Sequence, residues 1–285
     1  MPWWLPVLIG SFFSAYSAEV NRRYKMGGRR LNLWSLSLSA TFLSPIIILV
    51  PWPTSIEFYL VAIANGVIMG FAGIPLLRLS ADYNGRIASL VNPFKVIIAF
   101  FIWAGYRTML SLPIFESTAE IFGVIIVLLT ITFAFFYMVK EKVNLLIIGH
   151  ILPFSLLFAL ADVGIKLVML EGIYYSFVFV FLATLSGALT LVGFMIYRGK
   201  KKPLWSPKLL KAGSLLATCG VCSMIGLVTS IQIADNPAYP AIVMLLSSAW
   251  LLTYYRIRKI PDNISPVSGM LIVISAMFLI LLTLG

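Results

Sequence analysis

The sequence predicts an all-α integral membrane protein: ten transmembrane helices arranged as two inverted five-helix repeats. Three observations carry that expectation. Of 285 residues, 61% are hydrophobic and only 11% charged, against about 25% charged in an ordinary soluble domain. The apolar residues fall in long runs separated by short polar linkers. The 21 lysines and arginines alternate strongly from one linker to the next.

The expected spans are Trp3–Val20, Leu31–Val50, Glu57–Leu79, Arg86–Tyr106, Thr118–Met138, Asn144–Met169, Tyr174–Tyr197, Leu209–Ile233, Pro237–Tyr255 and Ser265–Leu284. Each approaches the roughly 20 apolar residues that a helix needs to cross a bilayer core. The linkers leave no room for an extramembrane domain, so the chemistry belongs within the bundle or at its faces. Trp3 to Ala18 resembles a signal peptide in its apolar body and small terminal residues. It lacks a positive leader, and Arg22, Arg23, Lys25, Arg29 and Arg30 follow at once. Such a cluster stays in the cytoplasm, so the segment reads as a first transmembrane helix.

Eighteen of the 21 basic residues lie in the odd-numbered loops: Arg22 to Arg30, Arg78 and Arg86, Lys140 and Lys142, Arg198 to Lys211, and Arg256 to Lys259. The even-numbered loops hold Arg107 and Lys166, and Lys95 lies inside a span. The positive-inside rule assigns the odd loops to the cytoplasm and both termini to the outside of a cell (inner or plasma) membrane. The net charge of +11 is then a topology signal and not a nucleic-acid patch. The expected partners are a small-molecule substrate and membrane lipids, with the run Lys200–Lys202 available to anionic headgroups, and no nucleic acid.

An internal repeat underlies the ten spans. Ala18-Glu19-Val20 with Arg23 recurs as Ala161-Asp162-Val163 with Lys166, an offset of 143, and Ala40-Thr41 recurs as Ala183-Thr184. Ala81-Asp82 and Ala88 match Ala234-Asp235 and Ala241 at an offset of 153, and Gly123 and Gly269 mark comparable places in spans five and ten. The halves are residues 1–142 and 143–285. Five is odd, so the halves lie in the membrane in opposite senses, which is transporter architecture. A duplicated chain supplies internally what a dimer of five-helix units would, so a monomer or weak homodimer is expected.

With Asn92-Pro93 near the middle of span four, this pattern resembles the drug/metabolite transporter superfamily, in its ten-helix EamA-type branch. The resemblance covers essentially the whole chain. It implies a secondary transporter working by alternating access through a central cavity lined mainly by spans one, three, four, six, eight and nine. Members move amino acids, sugar phosphates, nucleotide sugars or drugs. Two features depart from the family. The Gly-Glu usual before the fifth helix of each half is missing from Leu112–Glu116 and Arg258–Asp262. The charge count also puts outside the termini that members usually keep in the cytoplasm.

Span four carries the principal candidate site. A lysine near the centre of a span costs roughly 2.5–3.5 kcal/mol on translocon scales, and so marks function by default. Pro93 removes a backbone donor and crowds the carbonyl of Ser89, which predicts a kink. Asn92, Lys95, Trp103 and Tyr106 line up on one face with Ala88 and Ala99 at helical spacing. Cation, amide and two aromatic walls suit a small molecule with a carboxylate or another anionic group; the competing readings bury Lys95 against a carboxylate or helix-terminal carbonyls for stability alone, or make it a snorkelling lysine at a span boundary. Asn65 in span three and Thr218 in span eight, related by the 153 offset, are expected to add polar atoms.

Glu19–Arg23 and Asp162–Lys166 are candidate gating or coupling pairs. Each is an i,i+4 pair on one helix face, and the inverted topology sends Glu19 toward the cytoplasmic mouth and Asp162 toward the outer one. The family's small relatives use a first-helix glutamate for protons and cationic drugs. The first alternative is therefore a proton-coupled exporter of organic cations using Glu19 or Asp162, with protons as a candidate coupling ion. His150, the single histidine, is a candidate proton relay or interfacial anchor. Gly66, Gly70 and Gly73 suit close helix packing. Cys219 and Cys222 read as buried small residues.

No catalytic residues, metal ligands or cofactor motif are expected. The chain has no phosphate-binding glycine loop, metal-ligand cluster or activated nucleophile, so it reads as a carrier and not an enzyme. A lipid-handling protein or intramembrane enzyme is the second alternative, and a groove open sideways to the bilayer would mark the former.

Overall fold

The computed structural model describes residues 1–82, 91–113, 118–139, 145–198, 205–260 and 266–283. The chain is all-helical, with no strand among the described residues. In order the helices are α1 (Trp4–Tyr24), α2 (Gly28–Ile47), α3 (Ile56–Asp82), α4 (Val91–Met109), α5 (Thr118–Val139), α6 (Leu145–Val168), α7 (Ile173–Tyr197), α8 (Pro207–Ile233), α9 (Ala238–Met244), α10 (Leu246–Ile257) and α11 (Pro266–Leu282). Each expected span has its helix, except that the ninth is divided into α9 and α10.

Local chemistry explains several boundaries. α1 stops where Lys25 turns left-handed (φ 49°, ψ 50°), its N–H donating to the Asn21 carbonyl, and glycines follow. At the start of α8 the Ser206 hydroxyl accepts from the Leu209 N–H at 3.1 Å, with Pro207 in the first turn where its missing donor costs nothing. Leu245 keeps helical dihedrals (φ −60°, ψ −22°). Its N–H nevertheless bonds the Ile242 carbonyl, and the Ser248 N–H bonds the Leu245 carbonyl. These three-residue steps tighten the helix locally and separate α9 from α10. The kink expected at Pro93 depends on Ser89, which lies outside the described residues. In the described helix Pro93 falls in the first turn of α4.

Among the described residues, four segments are long and apolar enough to cross a membrane: Ile56–Leu79, α7, α8 and Ala238–Ile257. Large apolar side chains such as Phe101, Phe122, Leu129, Phe133 and Met277 are exposed. A protein surrounded by water exposes such residues singly, not in this density. The fold fits a membrane protein.

α1 packs chiefly on α8, α3 on α7, α2 on both α7 and α8, α4 on α6, and α5 on α11. α9 and α10 lean on α1, and α9 also touches α4. Glycines permit the tightest of these contacts. A Cβ on Gly66 would collide with the Ala183 carbonyl and the Ser186 hydroxyl, and a Cβ on Gly187 would lie 2.7 Å from the Gly66 carbonyl. Gly66 and Gly70 thus do let α3 approach α7, while Gly73 makes room for the Asn32 side chain.

Candidate functional site

A cavity of about 310 Å³ lies between α1, α3, α4, α6, α8, α9 and α10. Its volume is at the small end of ligand pockets, roughly 300–1,000 Å³. Most of the wall is apolar, including Met69, Phe158, Met224, Leu227 and Leu251. The polar groups that reach it are Lys95 and Asn92 from α4, Asp162 from α6, Asn65 from α3, and the side chains of Ser14, Ser17, Ser223 and Ser247.

Lys95 and Asp162 form the centre of this arrangement. The Lys95 ammonium lies 2.7 Å from Asp162 Oδ2, with both side chains almost wholly buried. The Asp162 oxygen borders the cavity and has no well-aligned hydrogen bond. Removing two charges from water costs several kcal/mol per ion, which a pair recovers fully only when its remaining hydrogen-bonding capacity is also satisfied. Here that capacity is incomplete at an oxygen that borders a cavity.

The pairing corrects the expectation for Asp162. Its partner is Lys95 on α4, not Lys166 one turn along its own helix. The Lys166 ammonium instead donates to the Gln232 carbonyl at 3.0 Å. Gln232 lies in the last turn of α8, where carbonyls lack intrahelical partners and attract a cation.

Glu19 sits in a second polar cluster, next along α1 from the cavity-lining Ser17 and Ala18. It is buried, and accepts from Arg22 Nε and Nη2 at 2.7 and 2.6 Å, from Arg23 Nε at 3.1 Å, and from the Tyr255 hydroxyl of α10 at 3.0 Å. The expected Glu19–Arg23 pair is therefore present, joined by Arg22 and tied across to another helix. Arg23 also donates to the Tyr254 hydroxyl, and the two guanidinium groups lie over the rings of Tyr255 and Tyr254. Tyr255 and Arg22 were not among the sequence candidates. Tandem Arg-Arg and Tyr-Tyr pairs at span ends were the available signal.

Three candidates lie away from the cavity. Trp103 and Tyr106 stack on each other, centroids 5.5 Å apart, but neither borders it. Trp103 is eight residues beyond Lys95, about 12 Å along the helix axis. Thr218 is exposed and its hydroxyl donates to the Ser214 carbonyl one turn back. At 100° per residue it lies about 140° around α8 from the cavity-lining Ser223. His150 falls in the first turns of α6, and its side chain is outside the described residues. The four serines were missed; Ser14 and Ser17, spaced by three beside Ala18, were the clearest sign of a small polar stripe.

Cys219 and Cys222 are free thiols. Among the described residues no group of His, Cys, Asp and Glu could hold a metal ion. The fold and this cavity define an all-helical, membrane-type bundle with a charged pair inside it. No family model matches the chain, and no curated protein matches it.

Proposed function

We propose that the chain is a secondary transporter of ten spans in two inverted five-helix repeats, moving a small polar metabolite with a carboxylate or other anionic group by alternating access. On this reading it is a multi-pass protein of the cell membrane with its odd loops in the cytoplasm and both termini outside. The observation that carries the reading is the ion-paired cavity shared by helices from both halves.

The packing pattern supports the duplication. Exchanging each helix for its equivalent in the other half turns α1 on α8 into α6 on α3, and α3 on α7 into α8 on α2. It turns α4 on α6 into the α9–α10 span on α1. Every one of these contacts is present. The α2–α7 and α5–α11 contacts map onto themselves, and both are present too. The carboxylates obey the same exchange: Glu19 reaches from span one to span nine, and Asp162 from span six to span four. The cavity walls also come from spans one, three, four, six, eight and nine, as the resemblance to the drug/metabolite transporter superfamily implies.

In this mechanism Lys95 and Asn92 hold the anionic group, Asp162 gives up its contact with Lys95 as that group enters, and the Glu19 cluster crosses from span one to span nine at the cytoplasmic mouth. Breaking the Glu19 contacts would open that mouth. The cation-exporter reading draws support from Asp162, whose carboxylate borders the cavity.

Uptake into proteoliposomes of a panel of organic acids, amino acids, phosphorylated metabolites and organic cations tests both readings. The anion-site reading expects Lys95→Met to abolish transport of an anionic or zwitterionic compound. Cation transport that tolerates Lys95→Met but is lost in Glu19→Gln or Asp162→Asn would replace it with the exporter reading.

A further inference from the structure

Asp162 makes the cavity electrically neutral, and this constrains a ligand beyond possession of an anionic group. An anion that engaged Lys95 alone would displace Asp162 and leave two negative groups facing one ammonium in a mostly apolar chamber. A cation at Asp162 alone would leave the mirror-image surplus. A molecule carrying both charges has neither problem: its anionic group takes Lys95, its cationic group takes Asp162, and total charge is unchanged.

We infer that Asp162, ion-paired with Lys95 at 2.7 Å where both residues border the cavity, is a specificity-determining charge filter that selects dipolar ligands of net charge zero over simple anions and cations. The inference rests on the reading of this cavity as the substrate site. Two further features point the same way. Asp162 Oδ2 is buried with the Lys95 ammonium 2.7 Å away, and a carboxylate oxygen has accepting capacity beyond one donor for a ligand's N–H groups. The amides of Asn65 and Asn92 border the same space and can complete hydrogen bonds to either end. The surrounding methionines, Phe158 and leucines suit a short apolar body between or beside the charges.

The filter depends on both charges together. Removing one leaves the other buried and uncompensated, and such a variant can lose binding merely by losing its fold. The double variant Lys95→Met with Asp162→Leu removes both and retains apolar volume, so its folding can be checked by thermal unfolding and size-exclusion behaviour.

The experiment is equilibrium binding by titration calorimetry on the purified full chain. The probes are the standard amino acids, β-alanine and taurine, each compared with its counterpart lacking the ammonium or the acidic group. The expected result is at least one dipolar probe binding about a hundredfold or more tighter than both counterparts, the order of preference that an uncompensated buried charge imposes. That binding should vanish in the folded double variant. A singly charged probe that binds as tightly as its dipolar parent and depends on Lys95 would overturn the filter and leave the cavity as the substrate site. Binding unchanged in the double variant, or no binding by any probe, would overturn both.

Discussion

Lys95 and Asp162 behave as one unit at the scale of single residues, because each is the counter-charge that lets the other stay buried. Lys95→Met and Asp162→Leu should each destabilise the folded protein by about 3–5 kcal/mol, the cost of stranding one buried charge. The double Lys95→Met with Asp162→Leu should be much more stable than the sum of two single losses, since no charge is left stranded. Unfolding of the purified variants measured against denaturant gives this comparison directly. Additive losses would mean that each residue is stabilised by something other than its partner. The Glu19 cluster differs in kind: its carboxylate has three partners within hydrogen-bonding reach, so removing one donor leaves the charge satisfied.

Helix contacts at the scale of elements are set by how closely two backbones approach. α3 and α7 meet at Gly66 and Gly187, where an added Cβ would strike backbone atoms of the facing helix. Backbone cannot rotate aside as a flexible side chain does, so Gly66→Val must push the helices apart. The expected cost is several kcal/mol, beyond the roughly 1–3 kcal/mol of ordinary overpacking, read as loss of the folded, monodisperse protein. Gly193, on the same helix α7, is the control: a Cβ there meets nothing within 4 Å. Gly193→Ala should be neutral or gain up to about 1 kcal/mol from helix propensity. Equal damage from both substitutions would show that glycine flexibility, and not close approach, is what α7 requires. The broken span at Leu245 has no glycine or proline at the break; the three-residue hydrogen-bond steps there occur among wholly buried residues of α9 and the start of α10.

Orientation across the membrane is a whole-molecule property, argued from charge in loops and not from any contact. Thr54, exposed between α2 and α3, and Lys25, exposed between α1 and α2, fall on opposite sides under the proposed topology. In a background with Cys219 and Cys222 replaced by serine, a membrane-impermeant maleimide applied to intact cells should label Thr54→Cys and spare Lys25→Cys. Permeabilised cells should label both. The reverse pattern would put the termini in the cytoplasm and move the Glu19 cluster to the outer mouth.

The ten helical segments were legible in the sequence almost to their ends, and there is a physical reason. A long apolar run in a helix satisfies its own backbone hydrogen bonds, so its existence and length depend on local composition. Lys95, Asn92 and Asn65, which border the cavity, were conspicuous on the same footing, since polar groups inside apolar runs stand out. The partner of Lys95 was not. Asp162 was expected to join Lys166, because spacing along one helix is all that a sequence displays. Which faces of α4 and α6 meet, and at what relative depth, is decided by packing among many helices at once. The same nonlocal packing turned Thr218 away from the cavity, left Trp103 and Tyr106 beyond its end, and brought four serines to its wall. The sequence alone determined a bundle of apolar helices with a misplaced lysine; only the tertiary structure decided that the lysine's charge is answered by Asp162, because rotation and register between helices are not written in either helix by itself.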